Sequence, residues 1–526
     1  MPYSDIGEAE VPVLIVGGGP VGLTARALLE RWGVRTLLVE KHRELSPFPR
    51  SRLVNVRSME IFRSLGLAER ITAGAFAPEY GRIRFRDTLC GPEFATAAMV
   101  GINAPVPESP VRGVVTSQDR LEPVLLAAAD APVRFGVELV GLTEEADGVT
   151  AVLADHRRGE ETRVRARCVL AADGANSTVR QRLGMGTSGP GAMGDFTTVV
   201  FDADLGRWCD RQPAGLFFTV HGLFAPLYPE GGWAWFVPTP DDAAHADWPG
   251  LVSRALGGGA GVRGDVRGDV RVDVLRVQHW VMNAFVAQRF RHGRILLAGD
   301  AAHAVPIVGG LGMNAGLSDV HNLCWKLAGV LHGWAGPGLL EAYEPERHPV
   351  ADRTLRQTVA NTRLMLEVQN RRRERLRTGE AASGQVELPW SERYFAQLGL
   401  VLGVTYRSAA VLTGDAAPPD TGTDYVPTAE PGRRMPHLWL TDDRSTLDAV
   451  GEWFTLFTPD PARWAQQATT APWPLRIEPF PEGGYGLGPR GALLVRPDGH
   501  IGARWRDRPA SGSTLRDGLA AITRFA

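Results

Sequence analysis

The hydrophobic pattern opens with an apolar run, Val11–Val16, that ends in Gly17-Gly-Gly-Pro-Val-Gly22. A short β-branched run closed by glycines predicts a buried strand. Apolar positions then recur at helical spacing through Leu23, Ala27, Leu28 and Leu29 to a stop at Gly33. Pro20 suits the first helical turn, where its missing N–H leaves nothing unpaired. A second strand, Thr36–Glu40, follows. Met59, Phe62 and Leu65 predict a helix over 54–66 with Gly66 as its cap. Leu121, Val124 and Leu125 predict another, capped by Thr116 or Ser117. Strands are expected at Val133–Val140, Val149–Ala154 and Arg163–Cys168. A further apolar strand runs into Asp173-Gly174, with a helix starting near Ser177.

From Phe196 to about Phe290 the pattern is that of aromatic strands broken by Gly/Pro turns, as in Gly232-Trp-Ala-Trp-Phe-Val-Pro238. A buried strand then ends at Gly299-Asp300, and a loop with Gly309, Gly310 and Gly312 opens a long helix through Leu317, Leu323, Trp325 and Val330. Free N–H groups at Leu311–Asn314, at the helix start, form a site for a partly negative oxygen. Residues 339–400 read as helices. The run Arg371–Arg377 reads as a solvated face. Asp415–Pro436 reads as a Pro/Asp/Gly linker. Beyond it an α/β unit is expected, with strand-like Leu438–Leu440 and Trp453–Phe457, a hairpin turned at Pro497-Asp-Gly499, and a final helix over about 513–525.

The chemistry lies in the turns. Gly17, Gly19 and Gly22 fit G-x-G-x-x-G between a strand and a helix, and Glu40 ends the next strand 18 residues after Gly22. That is the pattern of a dinucleotide site: a tight turn, a backbone open to the pyrophosphate, close helix–strand packing, and an acid for a ribose hydroxyl. Gly259-Ala-Gly261-Val-Arg-Gly264 matches the same string, but no strand precedes it, and it reads as a loop. Arg50, just after the ribose-binding strand, is placed to reach a pyrophosphate, and more so than Arg57. The elements predict an α/β chain: a Rossmann-type domain over 1–80, 112–180 and 286–385, a β-rich domain over 81–111 and 181–285, and a C-terminal unit over 415–526.

Composition narrows the class. Of 526 residues, 44% are hydrophobic and 22% charged, and the net charge is −2, so no global field recruits nucleic acid or an acidic membrane. The polar, acidic N-terminus lacks the features of a signal peptide, and no apolar run is long enough to span a bilayer. Cys90, Cys168, Cys209 and Cys324 are scattered and form no C-x-x-C, which argues for reduced thiols in the cytoplasm and against a metal site. The oligomeric state is left open.

Three motifs in this order resemble the group A monooxygenases, the single-component FAD-dependent aromatic hydroxylases of the p-hydroxybenzoate and phenol hydroxylase type. They are Gly17–Gly22 with Glu40, Asp173-Gly174 with Arg180, and Gly299-Asp300 with its tail Pro306…Gly312-Met-Asn314. Within the group the chain is most similar to hydroxylases of bacterial aromatic polyketides. The resemblance implies an FAD-binding domain with a β-sheet-rich substrate domain inserted and a thioredoxin-like C-terminal domain. It implies tightly, non-covalently bound FAD, with NADPH or NADH as a visiting reductant and O2 as oxidant. Oxygen transfer to an aromatic small molecule would then pass through a flavin C4a-hydroperoxide, in a site that excludes water.

The resemblance gives the ADP half to Gly17, Gly19, Gly22 and Glu40, and counts Pro20, Lys41 and Pro306 among the cofactor-binding residues. Arg50, Gln118 and Asp300 fall at the pyrophosphate and ribityl regions. Gly312, Met313 and Asn314 fall at the isoalloxazine edge, and Asp173, Gly174 and Arg180 serve FAD and the nicotinamide cofactor. Ser51-Arg52 departs from the small Ala-Gly often found there. No protein nucleophile is needed and no base can be named; His221, Trp235 and His303 are candidates for the cavity. Two other outcomes share the scaffold: Baeyer–Villiger or ring-cleaving oxygenation, and halogenation, whose W-x-W-x-I-P motif Trp233–Pro238 resembles. Halogenation needs a lysine near the reacting site, and the chain holds only Lys41 and Lys326.

Overall fold

A computed structural model describes residues 9–102, 104–257, 270–379, 387–391, 393–412, 423–468, 472–507 and 513–525. The second glycine string, 259–264, lies outside them. Among the described residues the strands form two eight-stranded sheets, a four-stranded one and a two-stranded ribbon of Leu53–Val54 with Val114–Val115.

The first sheet is the Rossmann-type one. Its parallel core runs Val133–Phe135, Thr36–Glu40, Ala9–Val16, Glu160–Ala171 and Ile295–Leu297. These strands read as apolar runs because helices cover them: Val13, Leu14, Ile15, Leu38, Leu170 and Leu296 are wholly buried. Helices Pro20–Arg31 and Gly312–His332 pack together on this sheet. Val137–Glu144 and Val149–Asp155 add an antiparallel flap along the start of Glu160–Ala171. The register matters for function. Val39, Val16, Ala171 and Leu297 stand in one row across the sheet. The residues that follow each of them therefore emerge side by side at the carboxyl edge, where open α/β sheets bind ligands.

The second sheet is almost wholly antiparallel. Its order is His303–Ala304, Asp273–Ala287, Thr187–Asp202, Gly231–Pro238, Gly222–Tyr228, Leu216–Thr219, Arg82–Arg86, Glu93–Ala98. The two long strands, Thr187–Asp202 and Asp273–Ala287, carry it away from the first sheet and are bent by register shifts after Ser188 and Ala192. Helix Trp248–Leu256 covers one face together with Trp233, Trp235 and Phe224. The other face looks back toward the first sheet.

The C-terminal unit has strand order Leu475–Pro479, Phe454–Thr458, Ala492–Val495, Ile501–Trp505, the first pair parallel and the rest antiparallel, with helices Pro461–Ala468 and Thr514–Thr523. This is a thioredoxin-like arrangement, as the resemblance implies. Leu438–Leu440 is not a strand there. The chain turns instead around the capping box of Ser445, and Trp439 makes only an isolated bridge to Ser445. The expected linker also needs correcting in its described part, since Arg433 and Arg434 are buried. Of the arginine run, Arg371, Arg373 and Arg377 are solvated, but Arg372 is buried on Asp87 at 2.6 and 2.9 Å. No helix among the described residues is long and apolar enough to cross a membrane.

Candidate active site

Gly17 ends the first strand with φ +109°, and a Cβ there would lie 2.3 Å from the Ala172 carbonyl oxygen. Only glycine fits a turn that presses on the neighbouring strand end. Gly22 is equally constrained: its Cβ would lie 2.0 Å from the Gly17 carbonyl oxygen. Gly19 differs. It caps helix Pro20–Arg31 at φ −77°, and a Cβ there meets no protein atom within 4 Å. The protein does not need glycine at that point, so the open space above it suits a close-lying ligand. Glu40 turns back over this loop, its Oε2 accepting from the Gly18 N–H at 2.6 Å and its Oε1 from His42 N–H at 2.9 Å.

Gly17, Gly18, Gly19 and Glu40 line one end of a cavity of about 1420 Å³. Pro20, Lys41, Arg50, Gln118, Asp173, Gly174, Asp300, Pro306, Gly312 and Met313 also line it. Gln118 is locked in place: its Oε1 accepts from Ser51 N–H at 3.2 Å and its Nε2 donates to Glu122 at 2.7 Å. Asp173 Oδ2 accepts from Val179 N–H at 3.1 Å, while Oδ1 is buried without a partner. Burial pushes the Asp173 carboxyl up, against the pull of Ser177, Val179 and Arg180. Asp300 opens into the cavity; crowding by protein raises its pKa, with His303 and Arg50 pulling it down.

Three expected members of the site stand behind the wall rather than on it. Gly22 packs helix to strand. Arg180 donates to the carbonyls of Ala301 at 2.8 Å and Ala175 at 2.7 Å and lies over the Phe285 ring, tying together two of the strand-end loops. Asn314 donates to Leu53 and Gly310 carbonyls at 2.9 and 2.6 Å and accepts from Asn55 N–H at 2.9 Å, so it braces the glycine loop from below.

The three cavity candidates are not on the cavity. Strand alternation turns Phe236 toward it and Trp235 away, stacked on Phe224 at 5.8 Å. His221 is exposed at a turn, and its carbonyl accepts from the Trp235 indole at 3.0 Å. His303 is wholly buried on Asp319 at 2.6 Å, which also accepts from Gly299 N–H at 3.0 Å and Arg347 at 2.8 Å. Burial alone would raise the Asp319 carboxyl, but His303 and Arg347 outweigh it and hold the pKa down. This cluster fixes the backbone under Asp300.

Several wall residues carried no motif. Glu122 had a signal, one helical turn beyond Gln118. Thr198, Gln278 and Trp280 had none, because only the pairing of two distant strands brings them together. Apart from the nucleotide end the wall is mostly apolar, with Ile83, Leu216, Phe218, Leu223, Met365 and Phe395 among its residues.

The donor set fits FAD. A bare glycine turn at a helix N-terminus, an acid at the ribose position, an arginine, and an unpartnered carboxylate oxygen converge on one cavity larger than the roughly 300–1,000 Å³ of a single-ligand pocket.

Comparison with known proteins agrees. The family described as FAD binding domain matches residues 10–358, and that described as aromatic-ring hydroxylase, C-terminal, matches 428–524. The tetracenomycin B2 monooxygenase-dioxygenase of Streptomyces olivaceus is 35% identical, over 97% of this chain and 98% of that protein. The aklavinone 12-hydroxylase RdmE of Streptomyces purpurascens is 32% identical, over 97% and 98%. The crystal structure of the flavin-dependent monooxygenase PieE, in complex with FAD and substrate, superposes with a TM-score of 0.87 at 31% identity, covering 100% of both chains. On this footing the chain belongs to the FAD-dependent aromatic-ring hydroxylases, and it is an FAD-dependent aromatic monooxygenase.

Proposed function

We propose that this chain hydroxylates a polycyclic aromatic substrate of the polyketide type at the expense of NAD(P)H and O2. One observation carries the reading: a single continuous cavity joins the dinucleotide end to a large apolar chamber under the second sheet. Gly17–Pro20, Glu40 and Lys41 would hold the ADP half. Arg50, Gln118 and Asp300 would hold the pyrophosphate and ribityl chain, and Pro306, Gly312 and Met313 the ring edge. Gly22, Arg180 and Asn314 would act by bracing those loops. Bound FAD supplies acceptance of two electrons from the nicotinamide and activation of O2. The protein's share is to place the substrate ring, to keep water out of the chamber, and to offer the N–H groups at the start of helix Gly312–His332 to a developing negative oxygen. The overall balance consumes one NAD(P)H, one proton and one O2, and yields one hydroxylated ring, NAD(P)+ and water.

The names of the relatives point the same way, to tetracenomycin B2 and aklavinone as substrates of those proteins. Halogenation has less support. Lys326 is buried in an ion pair with Glu346 at 2.6 Å, and Lys41 stands at the nucleotide end. Trp233 and Trp235 pack on the far face of the sheet. The test is turnover by the purified FAD-loaded protein with NADPH or NADH, O2 and a panel of polycyclic phenols and quinones. Substrate-stimulated oxidation of NAD(P)H and a product heavier by one oxygen are expected. A product with an inserted ring oxygen, or a cleaved ring, would move the assignment to the other outcomes on this scaffold. Flavin binding without any substrate-stimulated turnover would overturn it.

A further inference from the structure

The substrate end of the cavity carries a polar row that no motif announces. Thr198 lies directly across the ladder from Gln278 on one side and from Phe236 on the other. Alternation puts Thr198, Val200, Phe236 and Trp280 on the face that looks into the chamber, and Thr197 and His279 on the opposite face. His279 engages Thr197 there, at 2.8 Å. Thr198 Oγ1 accepts from the Trp280 indole N–H at 3.0 Å. Trp280 is itself held by stacking on Phe196 at 5.3 Å. Thr198 is 5% exposed, and among the described residues no acceptor for its hydroxyl hydrogen is found. With one lone pair engaged by the indole, that hydrogen is left to point elsewhere, and the cavity is what Thr198 borders. The Gln278 amide, on the same wall, makes no hydrogen bond among the described residues.

The same chamber carries little charge. The acidic and basic side chains on the cavity wall come from the nucleotide-binding body, at 40–52, 122, 138, 173 and 300, apart from His279 on the far face. Arg52 borders the chamber but gives its guanidinium to the carbonyls of Pro226 and Leu227. A carboxylate entering here would lose its hydration with no cation nearby but Arg52, whose Nη groups are already bound to carbonyls and whose charge Asp119 supports, a heavy cost in apolar surroundings.

Resting on the monooxygenase reading above, we infer that the substrate is an uncharged fused-ring quinone or phenol whose ring oxygen accepts a hydrogen bond from Thr198, with Gln278 as second partner. Thr198 is thus a positioning residue: it fixes which edge of the ring system faces the flavin.

Binding of planar probes to the FAD-loaded protein tests this without turnover, and so separates it from the monooxygenase reading itself. The probes are 1-hydroxyanthraquinone, anthraquinone-2-carboxylate and anthracene, followed by fluorescence quenching. The wild type is expected to bind the neutral hydroxyquinone at least tenfold more tightly than the carboxylate, by the scale of desolvating an unpaired charge. Thr198→Val should weaken the hydroxyquinone about tenfold, the order expected for one buried hydrogen bond with a donor lost. Thr198→Ser should restore most of it. Anthracene, which has no oxygen, should bind both variants as it binds the wild type; a merely structural role for Thr198 would weaken all three probes together. FAD content and melting temperature check each variant. Equal affinity of wild type and Thr198→Val for the hydroxyquinone, or equal affinity for carboxylate and hydroxyquinone, would overturn the inference. If turnover is later found, Thr198→Val should change the ratio of product isomers and raise KM more than it lowers kcat.

Discussion

At the residue scale the three glycines of the first turn answer to different demands. Gly22 serves the fold, since its added Cβ would sit 2.0 Å from the Gly17 carbonyl oxygen. Gly19 meets nothing in the protein and has an ordinary backbone angle. Gly22→Ala should therefore destabilise the protein by about 1–3 kcal/mol, as overpacking does, and lower FAD content as a consequence. Gly19→Ala, which adds only the Cβ, should change the melting temperature of the apoprotein by no more than a degree or two. It should still weaken FAD by about tenfold or more, near 1.4 kcal/mol, read by flavin fluorescence titration. If both variants behaved alike, the distinction between packing and ligand clearance would be wrong. Asp300 belongs to the second class. Asp300→Ala removes a carboxyl that opens into the cavity and makes no hydrogen bond among the described residues, so the fold should survive and the purified protein should be colourless. A yellow, fully active variant would remove Asp300 from the site.

At the element scale, what could be read in advance follows how local the cause is. The strand–turn–helix at Val11–Gly33 and the strand ends at Asp173 and Asp300 are visible because period, glycine and acid lie within a few residues of each other. Arg180 and Asn314 are visible as motif members, yet their work is to tie loops from behind, which spacing alone does not reveal. Thr198 is invisible because its meaning comes from a ladder to residues about 80 positions away. The Asp415–Pro436 stretch looked like linker because proline and glycine dominate it, while Arg434 within it is buried on Glu60 at 2.9 Å. Helix Tyr343–Thr378 shows a related case. Glu346 is wholly buried and accepts from Arg496 at 2.6 and 2.8 Å, Lys326 at 2.6 Å and Ser408 at 2.6 Å. Burial alone would raise this carboxyl, but Arg496 and Lys326 outweigh it and hold it at about 2. Burial pushes the nearby His500 down to about 4.

Both shifts have the same sign for stability. The folded state resists protonation that the unfolded chain accepts, near pH 6.5 for histidine and near 4.5 for glutamate. The contribution of His500 should be fully present above pH 6.5 and lost as the pH falls toward 4, together with that of the buried His321, pushed down to about 3; the contribution of Glu346 should be fully present above 4.5 and lost toward 2. Glu346→Gln should cost about 3–5 kcal/mol at pH 7, because it strands buried cations, and should flatten the lower limb. Denaturant midpoints measured from pH 7 to pH 3 in both proteins decide this; parallel curves would show that the loss at low pH arises elsewhere.

At the scale of the whole molecule the C-terminal unit is a structural part of the flavin-binding body. Phe454, Trp464, Leu494 and Leu515 pack against Trp325 and Trp334, next to and on the helix that carries the glycine loop. Arg434 reaches Glu60 on the helix after the Arg50 loop, and Arg57 of that helix donates to the Asp498 carbonyl at 2.8 Å. Asp498 accepts from Asn322 at 3.1 Å. Every one of these ties ends on an element that bears a cofactor loop. A chain ended before residue 428 would take Arg434 from Glu60 and Arg496 from Glu346, leaving each buried carboxylate with a single cation, Arg57 and Lys326, and would expose the Trp325 surface. Removing the sole partner of a buried charge costs about 3–5 kcal/mol; with one cation kept on each carboxylate the cost is smaller, but two such losses added to the exposed apolar surface are large against the roughly 5–15 kcal/mol that a folded protein has in all. The truncated chain should therefore be insoluble or, if soluble, unable to retain FAD, and adding the C-terminal unit as a separate polypeptide should restore flavin binding at least in part. Size-exclusion chromatography with absorbance at the flavin band reads both outcomes. A soluble, yellow truncated protein with wild-type FAD affinity would show that the unit is an appendage after all.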